Sequence, residues 1–201
     1  MLLSETPFAF LSGDCCRFFG PEAGADLFAR TERRYQALLD TVDDRGSAVF
    51  RAHLRDNLLP PMAFYLTLRE HGMDQKDALS SVRHETQQAA GAKGARMRRL
   101  GRLPGAYGLF RRSVRRVLAK NYPATGWDTV WVRCDAREIH FDLRRCVYHE
   151  LTQAMGCPEL CCVYCENDEI VFSGLAPRIR FQRGGTLAGD ADQCDFHFYR
   201  G

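Results

Sequence analysis

Apolar residues recur at intervals of three and four along the first two-thirds of the chain, which is the period of helices with one buried face. In residues 22–39, for example, this stripe contains Phe28, Tyr35 and Leu38. Turn and capping residues divide the pattern, such as Gly72 after one helix and Asp74 before the next. The predicted helices cover residues 22–39, about 47–58, 62–71, 75–89 and 109–121.

Glycines interrupt residues 91–108, and we predict a flexible connection there rather than a continuous helix. The same part of the chain is strongly basic, because residues 86–127 contain ten lysines and arginines and no acidic residue. A basic stretch of this kind can bind nucleic acid or an anionic membrane surface. Most charge runs are solvated faces, however, and this one has few aromatic residues, so we do not expect a nucleic-acid partner.

The pattern changes at Gly126, where alternating apolar and polar residues begin to predict strands. Residues 129–133 and 138–143 read as a hairpin, 146–155 and 158–165 as helices, and 178–182 and 194–199 as two more strands. The fold class is therefore α+β. An N-terminal helical region (1–125) precedes an antiparallel sheet with helices on one face, in the order β-β-α-α-β-β (126–201). We expect the two parts to form one compact unit.

Composition narrows the class of protein. The chain has 201 residues, of which 45% are hydrophobic and 26% charged, as in an ordinary soluble domain. No apolar run approaches the roughly 18 residues that would span a bilayer, and the start lacks the basic and apolar regions of a secretion signal. We therefore predict a cytoplasmic protein. In a reducing compartment its nine cysteines favour metal binding or thiol chemistry over disulfides.

Six of the nine cysteines lie between residues 146 and 198, together with two histidines and two acidic clusters. Cys146-x-x-His149 places two metal-ligand types on one helical face, and Cys162-x-x-Cys165 does the same for two thiols. Thiolate and imidazole ligands suit zinc or another divalent metal. The two pairs start only 16 residues apart and lack the glycines of a zinc ribbon, so a bound metal is one of two alternatives. In the other, a cysteine is a small buried apolar residue with no chemical role, as we expect for Cys157.

Cys165-x-x-Asp168 suggests a different chemistry. A thiol can act as a nucleophile if a histidine such as His149 lowers its pKa, whereas Asp168 alone would raise that pKa. Asp168 then suits an orienting or proton-carrying role, or is part of a helix-end turn. Along the last strand, alternation places Cys194 on the face opposite His197, which argues against His197 as a partner of Cys194.

The tail also resembles the L-2-amino-thiazoline-4-carboxylic acid hydrolase family. The resemblance covers most of the chain from about residue 50 and is most specific near the end. A similar helical segment lies at residues 58–79. The tail motifs are Cys146, Gly156-Cys157-Pro158-Glu159-Leu160, Cys165-Glu166-Asn167-Asp168, Thr186-Leu187-Ala188-Gly189 and Cys194-Asp195-Phe196-His197-Phe198.

This resemblance implies a hydrolase that opens a cyclic isothiourea of a small carboxylate substrate, with cleavage of a C–S bond. It implies Cys165 as nucleophile or metal thiolate, with Cys146 and Cys194 completing a three-thiol cluster that could bind zinc or another divalent metal. Proton handling would fall to Asp168 and Glu159, and Arg183 would hold the substrate carboxylate. Without a metal, His149 becomes the expected base.

A second class of function stays open at this point. The β-β-α-α-β-β order is similar to that of the 4-vinyl-reductase-type small-molecule-binding domain, which implies a non-catalytic binder or sensor. Fold does not decide between the two. The sequence also leaves open a homo-oligomer and the choice between a metal-based and a thiol-based site.

Overall fold

The computed structural model describes residues 2–201. The chain forms two compact units, the first ending at Ala89 and the second comprising Ala90–Gly201. The first unit is helical, as predicted. Its helices are α1 (Leu11–Phe19), α2 (Pro21–Thr41), α3 (Ala48–His53), a π-helical turn (Leu54–Leu58), α4 (Leu59–Glu70) and the first part of α5 (Gln75–Arg102).

Local sequence explains where these helices begin. Pro21 occupies the first turn of α2, where its missing N–H would have no partner. The Ser47 hydroxyl accepts a hydrogen bond from the Phe50 N–H at 3.2 Å and so caps α3. Leu27 and Tyr35 of α2 are buried, whereas Phe28 and Leu38 of the predicted stripe are only half-buried. Most of α4 is buried, including the ring of Tyr65. The predicted periodicity therefore found the helix α2 but only part of its buried face.

Gly24 allows α1 and α2 to approach closely. A Cβ atom at this position would lie 2.6 Å from the Cys16 Cα, in a contact with backbone that no side-chain rotation can relieve. We expect Gly24→Ala to lower the free energy of unfolding by about 1–3 kcal/mol, the usual cost of overpacking. Chemical denaturation of the variant measures this change.

Gly13→Ala is the matched control for that variant, because Gly13 lies in α1 and a Cβ atom added there would have no neighbour within 4 Å. Alanine is the better helix former, so this change should leave stability unchanged or raise it by up to about 1 kcal/mol. Equal destabilisation by both substitutions would show that close packing at Gly24 is not the cause.

The second unit contains the sheet. Its strands are β1 (Trp127–Cys134), β2 (Glu138–Cys146), β3 (Ile179–Gln182) and β4 (Cys194–Arg200), all antiparallel in the order β1-β2-β4-β3. Helix α6 (Ala106–Asn121) precedes the sheet, and α7 (Val147–Ala154) and α8 (Leu160–Ser173) connect β2 to β3. The predicted α+β class and the order β-β-α-α-β-β are confirmed.

One face of the sheet forms the core of this unit. The residues that alternation places on this face are buried: Ile139, Phe141, Leu143, Cys194, Phe196 and Phe198. Phe110 of α6 and Phe172 of α8 pack against Phe198, with ring centroids 5.1 and 5.0 Å apart. His197 lies on the other face and contacts Glu138 at 2.9 Å, so the predicted alternation of β4 is correct.

The prediction of a flexible connection at residues 91–108 is wrong for its first part, because α5 continues to Arg102. The glycines there permit close packing within the second unit. A Cβ at Gly101 would lie 2.8 Å from the Gly174 carbonyl oxygen, and one at Gly174 would lie 2.9 Å from the Gly94 oxygen. These glycines let α5 approach the end of α8, a requirement that their spacing in the sequence does not reveal.

Candidate functional site

Three cysteines distant in the sequence are brought together in the second unit. Cys146 ends β2, Cys194 begins β4, and Cys165 lies on α8. Because β2 and β4 are antiparallel, with Leu143 opposite Cys194, the end of one strand meets the start of the other. Their thiols are near enough that Cys194 and Cys165 both raise the pKa of Cys146. We call Cys146, Cys165 and Cys194 the thiol cluster.

Two members of the thiol cluster are protonated at neutral pH because they are buried. Burial raises the pKa of Cys146 to about 12, although the backbone N–H groups of His149 and Tyr148 at the start of α7 oppose the shift. Burial raises the pKa of Cys194 to about 11. The Leu187 N–H donates to the Cys194 sulfur at 3.2 Å, which favours the thiolate and limits the shift.

Cys165 is the most strongly shifted thiol of the cluster. A hydrogen bond with Cys161, one turn earlier on α8, raises its pKa first, and burial and the Asp168 carboxylate raise it further. Arg183 acts in the opposite direction but does not compensate. Cys165 is therefore a neutral thiol at rest, and any nucleophilic role requires a base to remove its proton during the reaction.

Arg183 joins the segment after β3 to α8. Its Nη1 donates to the Asp168 Oδ2 at 2.9 Å and its Nη2 to the Cys165 carbonyl oxygen at 2.7 Å. The guanidinium lies 5.4 Å from the centre of the Phe196 ring, and only 6% of the side chain is exposed. A buried cation is thus held in place beside the thiol cluster.

Asp168 has the titration behaviour expected of a proton carrier. Burial raises its pKa to about 6, even though the neighbouring Arg183 lowers it. About a third of its side chain (36%) still reaches solvent, so protons can exchange with water. A carboxyl group with this pKa is present in both protonation states near neutral pH, which suits general acid–base catalysis.

A sequence model of the L-2-amino-thiazoline-4-carboxylic acid hydrolases matches residues 51–198. The chain belongs to this family. The match includes the thiol cluster, Asp168 and Arg183, so the site described above lies within the shared region. No curated protein and no solved structure gives a significant match. Family membership shows a hydrolase and supports a small-molecule substrate, and it confirms the resemblance found in the sequence.

Tyr122 is a further residue of this hydrolase's candidate site, and the sequence did not indicate it. Burial, Asp168 and Cys146 all raise the pKa of its phenol, which places Tyr122 near both groups. Its ring contacts that of Trp127, with centroids 5.2 Å apart. Tyr122 follows α6 and belongs to no recognisable motif, so only the folded chain associates it with the thiol cluster.

Two other predicted residues have their described contacts elsewhere. Glu159 precedes α8. Burial and then the Glu159 carboxylate raise the pKa of Cys157, and the Glu159 carbonyl oxygen accepts a hydrogen bond from the Cys162 thiol at 2.7 Å. Glu159 lies six residues before Cys165, or about 9 Å along a helix. The His149 ring lies 3.5 Å from the Gln153 amide nitrogen. Their proton-handling roles stay predictions.

The three thiols of the thiol cluster are not spaced as the ligands of a metal site would be. Within residues 2–201, the one set of three His, Cys, Asp or Glu side chains whose donor atoms all lie within 4.8 Å is Asp14, His84 and Glu85. The thiol cluster does not meet this spacing, so its side chains would have to draw together around an ion. A metal at the cluster stays a prediction.

A cavity of about 300 Å³ lies at the start of α6, away from the thiol cluster. Arg111, Arg178 and Arg200 line it, and none of the predicted site residues does.

No helix in the described part of the chain combines the length and apolar character needed to cross a membrane.

Proposed function

We propose that this family member hydrolyses a small cyclic isothiourea of the thiazoline carboxylate type. The observation that carries the proposal is the position of Asp168, which accepts a hydrogen bond from Arg183 and lies three residues after Cys165 on α8. Burial raises its pKa to about 6, which suits a proton carrier. Hydrolysis of such a ring needs a proton acceptor during attack and a proton donor for the departing sulfur. One carboxyl group that changes protonation state near neutral pH supplies both in turn.

The reaction balances with one water molecule. The nucleophile adds to the amidine carbon between the ring nitrogen and sulfur, and Asp168 takes the proton released by that addition. The C–S bond then breaks, and the sulfur leaves as a thiol that carries the proton from Asp168. After overall addition of water, the product is an N-carbamoyl amino acid with a free thiol.

Cys165 is the proposed nucleophile, with Asp168 as its base. The two residues are three apart on α8 and therefore lie on one helical face. Because the resting thiol is neutral, its activation depends on proton transfer and not on a preformed thiolate. Attack would give an enzyme-bound isothiourea on Cys165, which water then hydrolyses to release the product and restore the thiol.

Arg183 is the proposed anchor for the substrate carboxylate. Its buried positive charge is already oriented by Asp168 and by the Cys165 carbonyl. Its contact with the exposed Glu169 carboxylate is longer, at 3.6 Å from Nη2 to Oε1. A substrate carboxylate that replaces Glu169 at this nitrogen would hold the ring beside Cys165 without displacing Asp168.

A non-catalytic binder is the second candidate function. The raised pKa values of all three cluster thiols favour it, because neutral buried thiols can line a ligand site without reacting.

The direct test is to incubate the reduced protein with 2-amino-thiazoline-4-carboxylate and follow both ligand binding and new thiol. We expect catalytic release of one thiol per ring opened, with the N-carbamoyl product identified by mass. Saturable binding without thiol release would favour the binder, and neither binding nor turnover would exclude this substrate.

A further inference from the structure

A second cluster of chemistry-bearing side chains lies in the first unit, apart from the thiol cluster. Asp14 lies on α1, and His84 and Glu85 lie on α5. One donor atom from each side chain can be chosen so that all three lie within 4.8 Å of one another. We call these residues the Asp14 site.

The carboxylates of the Asp14 site are buried and incompletely paired. Asp14 is 7% exposed and Glu85 only 3%. The Asp14 Oδ2 and the Glu85 Oε2 are buried without a hydrogen-bond partner. An unpaired buried carboxylate oxygen is costly, and two of them side by side are costlier still. A positively charged partner bound between the two carboxylates would remove this cost.

Protein groups nearby only partly balance the charge. Arg17 contacts the other Asp14 oxygen, Oδ1, and its charge lowers the pKa of Glu85. Burial, the Asp14 charge and a side-chain hydrogen bond with Asp14 nevertheless raise that pKa. Either a proton shared between the carboxyl groups or a bound cation can compensate the remaining negative charge.

The third residue favours a cation over a shared proton. His84 is exposed, so burial of its imidazole does not explain its position. One of its ring nitrogens nevertheless lies within 4.8 Å of an oxygen of each carboxylate. The Phe18 ring contacts the imidazole edge-on, with centroids 5.7 Å apart, and restricts its orientation. A held imidazole adds a metal ligand, whereas a proton shared by two carboxyl groups needs no third group.

We propose that Asp14, His84 and Glu85 bind a divalent first-row metal ion of the zinc or manganese class. One nitrogen and two carboxylate oxygens suit these ions. The exposed side of His84 gives the ion a path from solvent and leaves positions for water ligands.

This inference goes beyond the proposed hydrolase activity. The family match begins at residue 51 and so includes His84 and Glu85 but not Asp14. The two carboxylate residues are also far apart in sequence, on α1 and α5 of the first unit. A metal that bridges them would stabilise the contact between these helices within the first unit, by binding the folded state.

The test uses Mn²⁺ as the probe, because carboxylate and imidazole ligands accept it and thiols bind it poorly. Full-length reduced protein, freed of metal by a chelator, is titrated while free Mn²⁺ is followed by electron paramagnetic resonance. We expect one bound equivalent in the wild type. The exposed substitution His84→Ala should weaken binding by at least about 10-fold, and His71→Ala, at another exposed histidine of the same unit, should not.

Stability supplies an independent readout. Zn²⁺ is expected to raise the Tm of the wild type and of His71→Ala but to have a smaller effect on His84→Ala. Glu85→Gln distinguishes the alternatives further, since glutamine resembles a protonated glutamate in shape. Loss of Mn²⁺ binding in this variant supports the metal site. Equal Mn²⁺ binding by the wild type and His84→Ala, or no binding to either, overturns the proposal in favour of a shared proton.

Discussion

Replacement of Asp168 by asparagine is expected to lower kcat/KM for ring opening by about 10²–10⁴-fold, the usual contribution of a general acid–base group. Asparagine is similar in size and can still accept the hydrogen bond from Arg183, so the change removes proton transfer with little change in shape. The measurement is the rate of thiol release from 2-amino-thiazoline-4-carboxylate under subsaturating conditions. Circular dichroism and thermal unfolding show whether the variant is folded.

The pH dependence separates a catalytic role from a positional one. Burial raises the Asp168 pKa to about 6, so the carboxylate that accepts a proton during attack predominates above pH 6 and is lost below it. We therefore expect the wild-type kcat/KM to fall as the pH drops through about 6. The Asp168→Asn variant should lack this limb. If the limb persists in the variant, a different group is titrating.

Asp192→Asn is the matched control. It makes the same chemical change at an exposed residue of the segment before β4. We expect activity close to that of the wild type and an unchanged acid limb. A comparable loss in Asp192→Asn would mean that general loss of negative charge, and not proton transfer at Asp168, lowers the rate.

Replacement of Cys165 by serine is expected to lower turnover by about 10³-fold or more, as for other nucleophiles that act together with a base. The resting thiol is neutral, but it is intrinsically more nucleophilic than a hydroxyl and loses its proton more readily. The covalent intermediate gives a second measurement. Rapid acid quench and mass spectrometry should detect an adduct on Cys165 in the wild type and none in the variant.

Cys162→Ser is the control for this experiment. Cys162 lies on the same helix, and its thiol donates to the Glu159 carbonyl oxygen, which a serine hydroxyl can also do. It should retain near wild-type turnover. If Cys165→Ser retains activity within about 10-fold, Cys165 is not the nucleophile. Water would then attack directly, and the Asp168 prediction would stand independently.

The sequence was a good guide wherever one residue's environment depends on its near neighbours. Alternation in residues 194–199 correctly separated the buried Cys194, Phe196 and Phe198 from His197, because successive strand residues point to opposite faces. Likewise Cys157 is buried, as expected of a small apolar thiol. The prediction was wrong at the glycines of residues 91–102, because a glycine can either interrupt a helix or allow close packing, and only the neighbouring elements decide which.

By itself, the sequence determined the α+β class, the order β-β-α-α-β-β of the C-terminal part, the buried face of the sheet and the hydrolase family, but it did not indicate α1. All of these follow from local periodicity or from motifs that are continuous in the chain. Only the tertiary structure decided that Tyr122 joins Asp168 and the thiol cluster, that Cys165 is a neutral thiol, and that Asp14 meets Glu85. Tyr122 and Asp14 meet partners that are far apart from them in sequence, and the pKa of Cys165 depends on burial and neighbouring charges that exist only after the chain has folded.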